Sequence, residues 1–161
     1  MKELLLFRHA KSSWESLLED RDRGLTEKGI KRTKDMALAS SKIVEGFEVV
    51  FSSPANRAMH TASILIHELQ IPFELLQIRE ALYTFEISKL LYFIKSIPDH
   101  YSKVICVGHN PAFTKAVNQL STTNLDHLST AAWALIKFEQ IKWRNVESGM
   151  ASLGLPKEIL K

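Results

Sequence analysis

Leu4-Leu5-Leu6-Phe7-Arg8-His9-Ala10 is the stretch that decides the reading of this chain. Residues 2–7 read as a buried strand, and the apolar run stops abruptly at a fixed cation and an imidazole. Folding needs alone explain such a break poorly, because charged groups are rarely drawn into a core without a partner. A guanidinium is always charged and grips phosphate oxygens in a two-pronged fashion. An imidazole is a competent nucleophile at neutral pH. Side by side at a strand end, they suggest a site that holds a phosphoryl group and attacks it.

The rest of the chain alternates short β-rich runs with helical periodicity. Residues 26–42 read as a helix capped by Thr26, with Ile30, Thr33, Ala37 and Ser40 on one face. Gly29 counts against that helix. Residues 48–52 read as a second strand, and residues 54–69 as a helix with Pro54 in its first turn. Ala58, Thr61, Ala62, Leu65 and Leu69 form its apolar stripe. A short strand is expected near 74–77, a helix over 86–97, and a central strand over 103–107. Asn110-Pro111 reads as an N-cap and first-turn proline. The helix it opens carries Phe113, Ala116, Val117 and Leu120. Residues 131–138 and 141–147 look like a late hairpin. Strands separated by crossover helices pair in parallel, with helices over both faces, which makes this an α/β fold. In such sheets ligands bind beyond the carboxyl ends of the strands.

That rule gathers the chemistry. The first strand ends in Arg8-His9. The second ends in Ser52-Ser53-Pro54, with Arg57 one helical turn on. The central strand ends in Gly108-His109-Asn110-Pro111. Phosphoryl transfer spreads charge over three oxygens, and its catalysis is mostly positioning and electrostatics. Arg8 and Arg57 suit those oxygens, His109 can add a hydrogen bond, and helix N-termini near Pro54 and Pro111 add N–H groups. His9 would attack in line, and water would release the phosphohistidine. Glu80, just past the short strand, is the candidate proton donor.

Composition narrows the alternatives. The chain has 161 residues, enough for one domain spanning 1–161. Its net charge of +3 comes from dispersed residues, so nucleic acid is not an expected partner. No apolar run approaches membrane length, and no signal segment is evident. Cys106 is the one cysteine, within an apolar strand, and suits a reducing, cytoplasmic setting as an inert core thiol. No Gly-Lys-Ser/Thr loop, zinc pattern or Gly-x-Ser-x-Gly elbow is present. His60, His67, His100 and His127 lack motif context and read as surface residues, and Trp14 as a packing residue. Arg23, among Asp20, Arg21 and Asp22, reads as part of a solvated charge run.

Arg8-His9-Ala10, Ser52-Ser53-Pro54 with Arg57, and Gly108-His109-Asn110-Pro111, in that order, resemble the histidine phosphatase superfamily. The short form is similar to SixA-type phosphohistidine phosphatases. Lys11-Ser12-Ser13-Trp14 and Asp22-Arg23-Gly24-Leu25-Thr26 add to the likeness, which spans roughly residues 3–138. The resemblance implies a three-layer α/β/α sandwich with a mostly parallel sheet and neither metal nor cofactor. It implies His9 as nucleophile, with Arg8, Arg57 and His109 on the phosphoryl group. It places Arg23 near the pocket and matches Glu80 to the general acid of the phosphoglycerate mutase-like branch. Ala10 stands where larger members carry glycine.

Larger relatives lid the pocket with long insertions, whereas residues 58–108 leave little room for one. An open site suits a phosphoryl group on a protein, such as a histidine phosphotransfer domain, better than a small metabolite. The expected activity is therefore removal of phosphate from phosphohistidine. A small-molecule phosphomonoesterase and a non-catalytic phosphoprotein-binding module are the alternatives.

Overall fold

The computed structural model describes residues 1–14 and 18–161. Its centre is a six-stranded sheet formed by β1 (Lys2–Arg8), β2 (Val49–Ser52), β3 (Leu76–Ile78), β4 (Lys103–Gly108), β5 (Trp133–Phe138) and β6 (Met150–Gly154). The strand order is β3-β2-β4-β1-β5-β6. The first four in that order run parallel, and β5 is antiparallel to both β1 and β6.

Alternate residues of the central strands feed two separate cores. Leu4, Leu6, Val104 and Cys106 face α3 (Ile87–Lys95) and α4 (Ala112–Leu120), packing with Leu90, Ile94, Phe113 and Val117. Leu5, Phe7, Ile105 and Val107 face α1 (Glu27–Ala39) and α2 (Asn56–Glu68), packing with Met36, Ala37, Ala58, Ala62 and Leu65. A short α5 (Pro156–Ile159) closes that second side through Ile159. A strand apolar on both faces belongs in the middle of a parallel sheet, which is how the unbroken run Leu4–Phe7 is used. The expected α/β/α layering is therefore observed.

Several expectations shift, each for a local reason. The late hairpin uses 150–154 rather than 141–147 as its second strand. Trp143 instead sits in a 3-10 turn, fully buried, with its indole N–H on the Tyr101 carbonyl at 2.8 Å and its backbone N–H on Asp99 at 2.8 Å. Its periodicity reflects a plug in the first core, not a ladder. Pro54 lies ahead of α2, not in its first turn, because the Ser53 hydroxyl accepts from the Ala55 N–H at 3.2 Å and spends two residues on a turn. Helix α4 likewise starts at Ala112, so Pro111 takes the N-cap position expected for Asn110, whose side chain still reaches the first turn by accepting from the Thr114 N–H at 3.1 Å. The short strand begins at Leu76, after a 3-10 turn over Phe73–Leu75.

Helix α1 keeps the Thr26 cap, whose hydroxyl accepts from Gly29 at 3.0 Å. Gly29 is there for space: a Cβ would lie 2.4 Å from the Lys11 carbonyl oxygen. That carbonyl is held by the Thr26 N–H at 3.0 Å, so it cannot easily retreat. Gly29→Ala should therefore destabilise the protein by about 1–3 kcal/mol, although helix propensity alone favours alanine by about 1 kcal/mol. The midpoint of urea unfolding checks this; an unchanged or raised midpoint contradicts it.

Candidate active site

Strand register brings the three predicted segments to one level. Arg8 pairs with Gly108 across β1 and β4, and Ser52 pairs with Val107 across β2 and β4. Three parallel strands thus end flush, and the next residues, His9, Ser53 and His109, emerge together. Further bonds fix the turn after β1. The His9 N–H donates to the Gly108 carbonyl at 3.1 Å, and the Ala10 N–H to the Thr61 hydroxyl of α2 at 3.1 Å. The Thr61 hydroxyl in turn donates to the Arg57 carbonyl at 2.7 Å, tying α2 to that turn. Gly108 is needed where β4 passes Phe113, since a Cβ would meet the ring at 2.8 Å.

His9 and His109 are buried, with ring centroids 5.2 Å apart. His9 Nδ1 lies 2.7 Å from the Ala10 carbonyl. A carbonyl only accepts, so Nδ1 carries the proton and Nε2 keeps its lone pair. Burial pushes the His9 pKa down to about 4; the Ala10 bond opposes this, while Arg57, Arg8 and Arg23 add to the depression. At neutral pH His9 is therefore an uncharged imidazole with a free Nε2.

His109 Nε2 lies 2.8 Å from the Ser53 hydroxyl. That hydroxyl also accepts from Ala55; when it turns its own proton to His109 Nε2, the ring N–H sits on Nδ1. Nδ1 is buried and has no partner among the described residues, which in that tautomer leaves a donor available to an incoming oxygen. Burial, then the His9 ring and Arg57, push the His109 pKa down to about 3.

Both histidines titrate near 6.5 in an unfolded chain. Below that pH the unfolded chain gains protons that the folded site refuses, so stability is lost as pH falls from 6.5 toward 4. We expect a loss of about 3–5 kcal/mol between pH 7 and 4.5, read from urea unfolding. His109→Gln should flatten the slope; an unaltered slope contradicts this origin.

The three guanidiniums differ in their surroundings. Arg8 donates through Nη1 to the Leu128 carbonyl at 2.9 Å and to His127 Nε2 at 3.0 Å, and its buried Nε is unpartnered among the described residues. Arg57 is buried and donates from Nη1 to the Asp20 carbonyl at 2.6 Å and from Nη2 to Asp20 Oδ2 at 3.0 Å. Arg23 is not solvated, contrary to the charge-run reading. It is buried, donating to the Ser13 carbonyl at 2.9 Å, to the Ser12 hydroxyl and to Asp20 Oδ1 at 3.0 Å. Its guanidinium stacks 3.6 Å from the centroid of the exposed Trp14 ring, so Trp14 does more than pack.

The structure thus brings Arg8, His9, Arg57, His109 and Arg23 together, but not Glu80. The Glu80 side chain is 74% exposed, ion-paired with Arg21 at the rim, with no hydrogen bond to the cluster. Four neighbours escaped the sequence reading. His127, exposed as its surface reading expects, also accepts from Arg8 Nη1 at 3.0 Å. Tyr83 and Phe85 set their rings 5.5 and 5.6 Å from His109. Asp20 joins Arg57, Arg23 and the Tyr83 hydroxyl through one carboxylate. None stands at a strand end, so the rule that located the others passes over them. Two open clefts flank the cluster. One, of about 450 Å³, is lined by Glu80, Tyr83, Thr84, Ser88, Lys89 and Tyr92. The other, of about 390 Å³, runs along Asn110, Pro111, Thr114 and His127.

The sequence profile of the histidine phosphatase superfamily (branch 1) matches residues 4–83, about half of the chain, including Arg8, His9 and Arg57. The chain belongs to the histidine phosphatase superfamily. Its members' fold extends over the rest of it. The structure of the protein histidine phosphatase SixA complexed with tungstate superposes with a TM-score of 0.82 at 19% identity, covering 99% of both chains. A protein assigned as phosphohistidine phosphatase SixA, from Agrobacterium tumefaciens, gives 0.74 at 21% identity, covering 85% of this chain and 92% of its own. A mycobacterial glucosyl-3-phosphoglycerate phosphatase gives 0.67 at 14% identity, covering 96% and 98%. At these identities the likeness establishes the fold. No curated protein sequence matches the chain. Among the described residues, no helix of this superfamily member is long and apolar enough to cross a membrane.

Proposed function

We propose that this phosphatase works through a phosphohistidine on His9 and removes phosphate from phosphohistidine carried by another protein of the cytoplasm. The observation that carries the mechanism is the Nδ1–H bond of His9 to the Ala10 carbonyl, which leaves Nε2 free among the guanidiniums. Nε2 attacks phosphorus, the bond to the leaving imidazole breaks, and that imidazole takes a proton from solvent. Water then attacks the His9 phosphoryl group, releasing phosphate and restoring Nε2. Arg8 and Arg57 balance the charge of the equatorial oxygens, Arg23 supports them, and His109 donates from Nδ1.

The substrate reading is supported by the position of Glu80. A carboxylate held at the rim by Arg21 is poorly placed to protonate an alkoxide. A phosphorylated imidazole needs no such acid. The two open clefts beside the site leave room for a protein surface around the phosphoryl group.

The decisive experiment is trapping. Wild type is incubated with a labelled phosphohistidine protein in chelator, and the label on the enzyme is tested for acid lability and base stability. Label that persists after His9→Ala would sink the mechanism. Turnover is then compared with a panel of small phosphomonoesters. A strong preference for one sugar phosphate would sink the substrate assignment and favour the phosphomonoesterase.

A further inference from the structure

Asp20 occupies an unusual position. Both terminal nitrogens of Arg57 are spent on this one residue, Nη1 on its carbonyl at 2.6 Å and Nη2 on Oδ2 at 3.0 Å. Its other carboxylate oxygen, Oδ1, takes Arg23 Nη1 at 3.0 Å. Tyr83 donates its hydroxyl to Oδ2 as well. The carboxylate is thus held as an oxyanion is held, with a guanidinium on each oxygen. Arg57 is buried by the protein, and the fork formed by its two terminal nitrogens is the one Asp20 occupies. A phosphoryl group therefore cannot take that same fork while Asp20 keeps it.

We infer that Asp20 is an internal competitor for the phosphoryl group: its carboxylate holds Arg57 and Arg23 in the empty site, yields them to substrate and reclaims them as phosphate departs. This rests on the reading of the site as a phosphoryl site, and adds a residue that sets affinity for substrate and product. The exchange conserves bonds, since the arginines trade one oxyanion for another. It is also mechanically easy. Asp20 sits on a single 3-10 turn, Asp20–Asp22, in which no residue is buried. Among the described residues the turn is attached, beyond its own backbone bonds, by polar contacts: Asn56 Nδ2 on the Asp22 carbonyl at 3.0 Å, the Arg21–Glu80 ion pair, Arg21 over the Tyr83 ring, the Tyr83 hydroxyl on Asp20 and these arginine contacts. No core packing must be broken for it to move. The carboxylate is ionised when it competes: partial burial opposes ionisation, but the Tyr83 hydroxyl and Arg57 outweigh it and hold the pKa below the ordinary value. A phosphate dianion arriving with Asp20 still in place would meet a like charge, so retention and binding are alternatives.

The roles open to Asp20 give opposite signs. A competitor weakens phosphate binding, whereas a brace that merely pre-aims the arginines strengthens it. Inorganic phosphate and tungstate are titrated calorimetrically into wild type, Asp20→Asn, Asp20→Ala and Arg57→Ala, each first shown to unfold at a normal temperature. Both Asp20 variants are expected to bind phosphate about 10-fold more tightly, with stronger product inhibition and a lower KM. Equal or weaker binding in the more stable of the two variants, against a wild type that binds, overturns the competitor and leaves the phosphoryl site standing. No binding of either anion by wild type or by either folded Asp20 variant overturns both.

Discussion

Replacing His9 with alanine is expected to lower turnover by at least about 10,000-fold, equivalent to about 5.5 kcal/mol of transition-state stabilisation. The reason is specific to Nε2. It is the one ring nitrogen free to form a bond to phosphorus, because Nδ1 is committed to Ala10. Alanine removes the covalent route altogether, and the remaining arginines can only bind. The variant should therefore still take up phosphate while failing to turn over, a combination that separates chemistry from binding. His9→Asn is the matching control, since it can keep a bond to the Ala10 carbonyl without offering a nucleophile. Residual activity above about 1% of wild type in a steady-state assay would show that another group attacks phosphorus.

Replacing Arg57 should lower kcat/KM by about 100- to 1,000-fold, the range for removing a preorganised charge donor from a transition state. Arg57→Lys should recover little of this. A lysine is a point charge that cannot span two oxygens, and its ammonium would have to reach the position of a buried, planar fork. The loss should fall on kcat as well as KM, because the transferring phosphoryl group needs its charge balanced most at the transition state. A fall of less than about 10-fold would mean that Arg57 chiefly braces Asp20, and that Arg8 with Arg23 carries the substrate.

Legibility along this chain followed the source of each signal. Leu4–Phe7, Val49–Phe51 and Val104–Val107 are buried on both faces, so their apolar runs were unambiguous. Residues placed directly at their ends, His9, Ser53 and His109, inherited that clarity from strand register. Element boundaries were harder wherever a side chain replaced a backbone partner, as with the Ser53 turn before α2 and the Asn110 side-chain bond before α4. Trp143 looked like a strand residue because a buried aromatic between polar neighbours looks the same whether it faces a core or fills one. Asp20 and Arg23 read as solvated because a run of alternating charge normally is. Asp20 does stay exposed, but its carboxylate is taken by Arg57 and Tyr83, dozens of residues away, and Arg23 is buried against Ser12, Ser13 and Asp20; no local pattern announces such partnerships. Gly29 went against helix propensity for a similarly distant cause, the Lys11 carbonyl.

The strand order carries a consequence for how the protein comes into being. β1 and β2, which carry Arg8 and lead to Arg57, are never neighbours; β4 lies between them and pairs with both. A nascent chain that has emerged only as far as Tyr83 can pair β3 with β2, but the other edge of β2 and both edges of β1 stay unsatisfied. Residues 103–108 must arrive before β1 and β2 are joined, and β5 must follow to cover the far side of β1. Assembly of the sheet is therefore dominated by contacts far apart in sequence, which slows folding and favours a single cooperative step. The catalytic cluster forms in that same step, so a truncated or partly made chain carries no partial version of the site. Exposure of the unpaired β1 and β2 edges makes such fragments prone to aggregation, which ties the yield of active enzyme to completion of the second half of the chain.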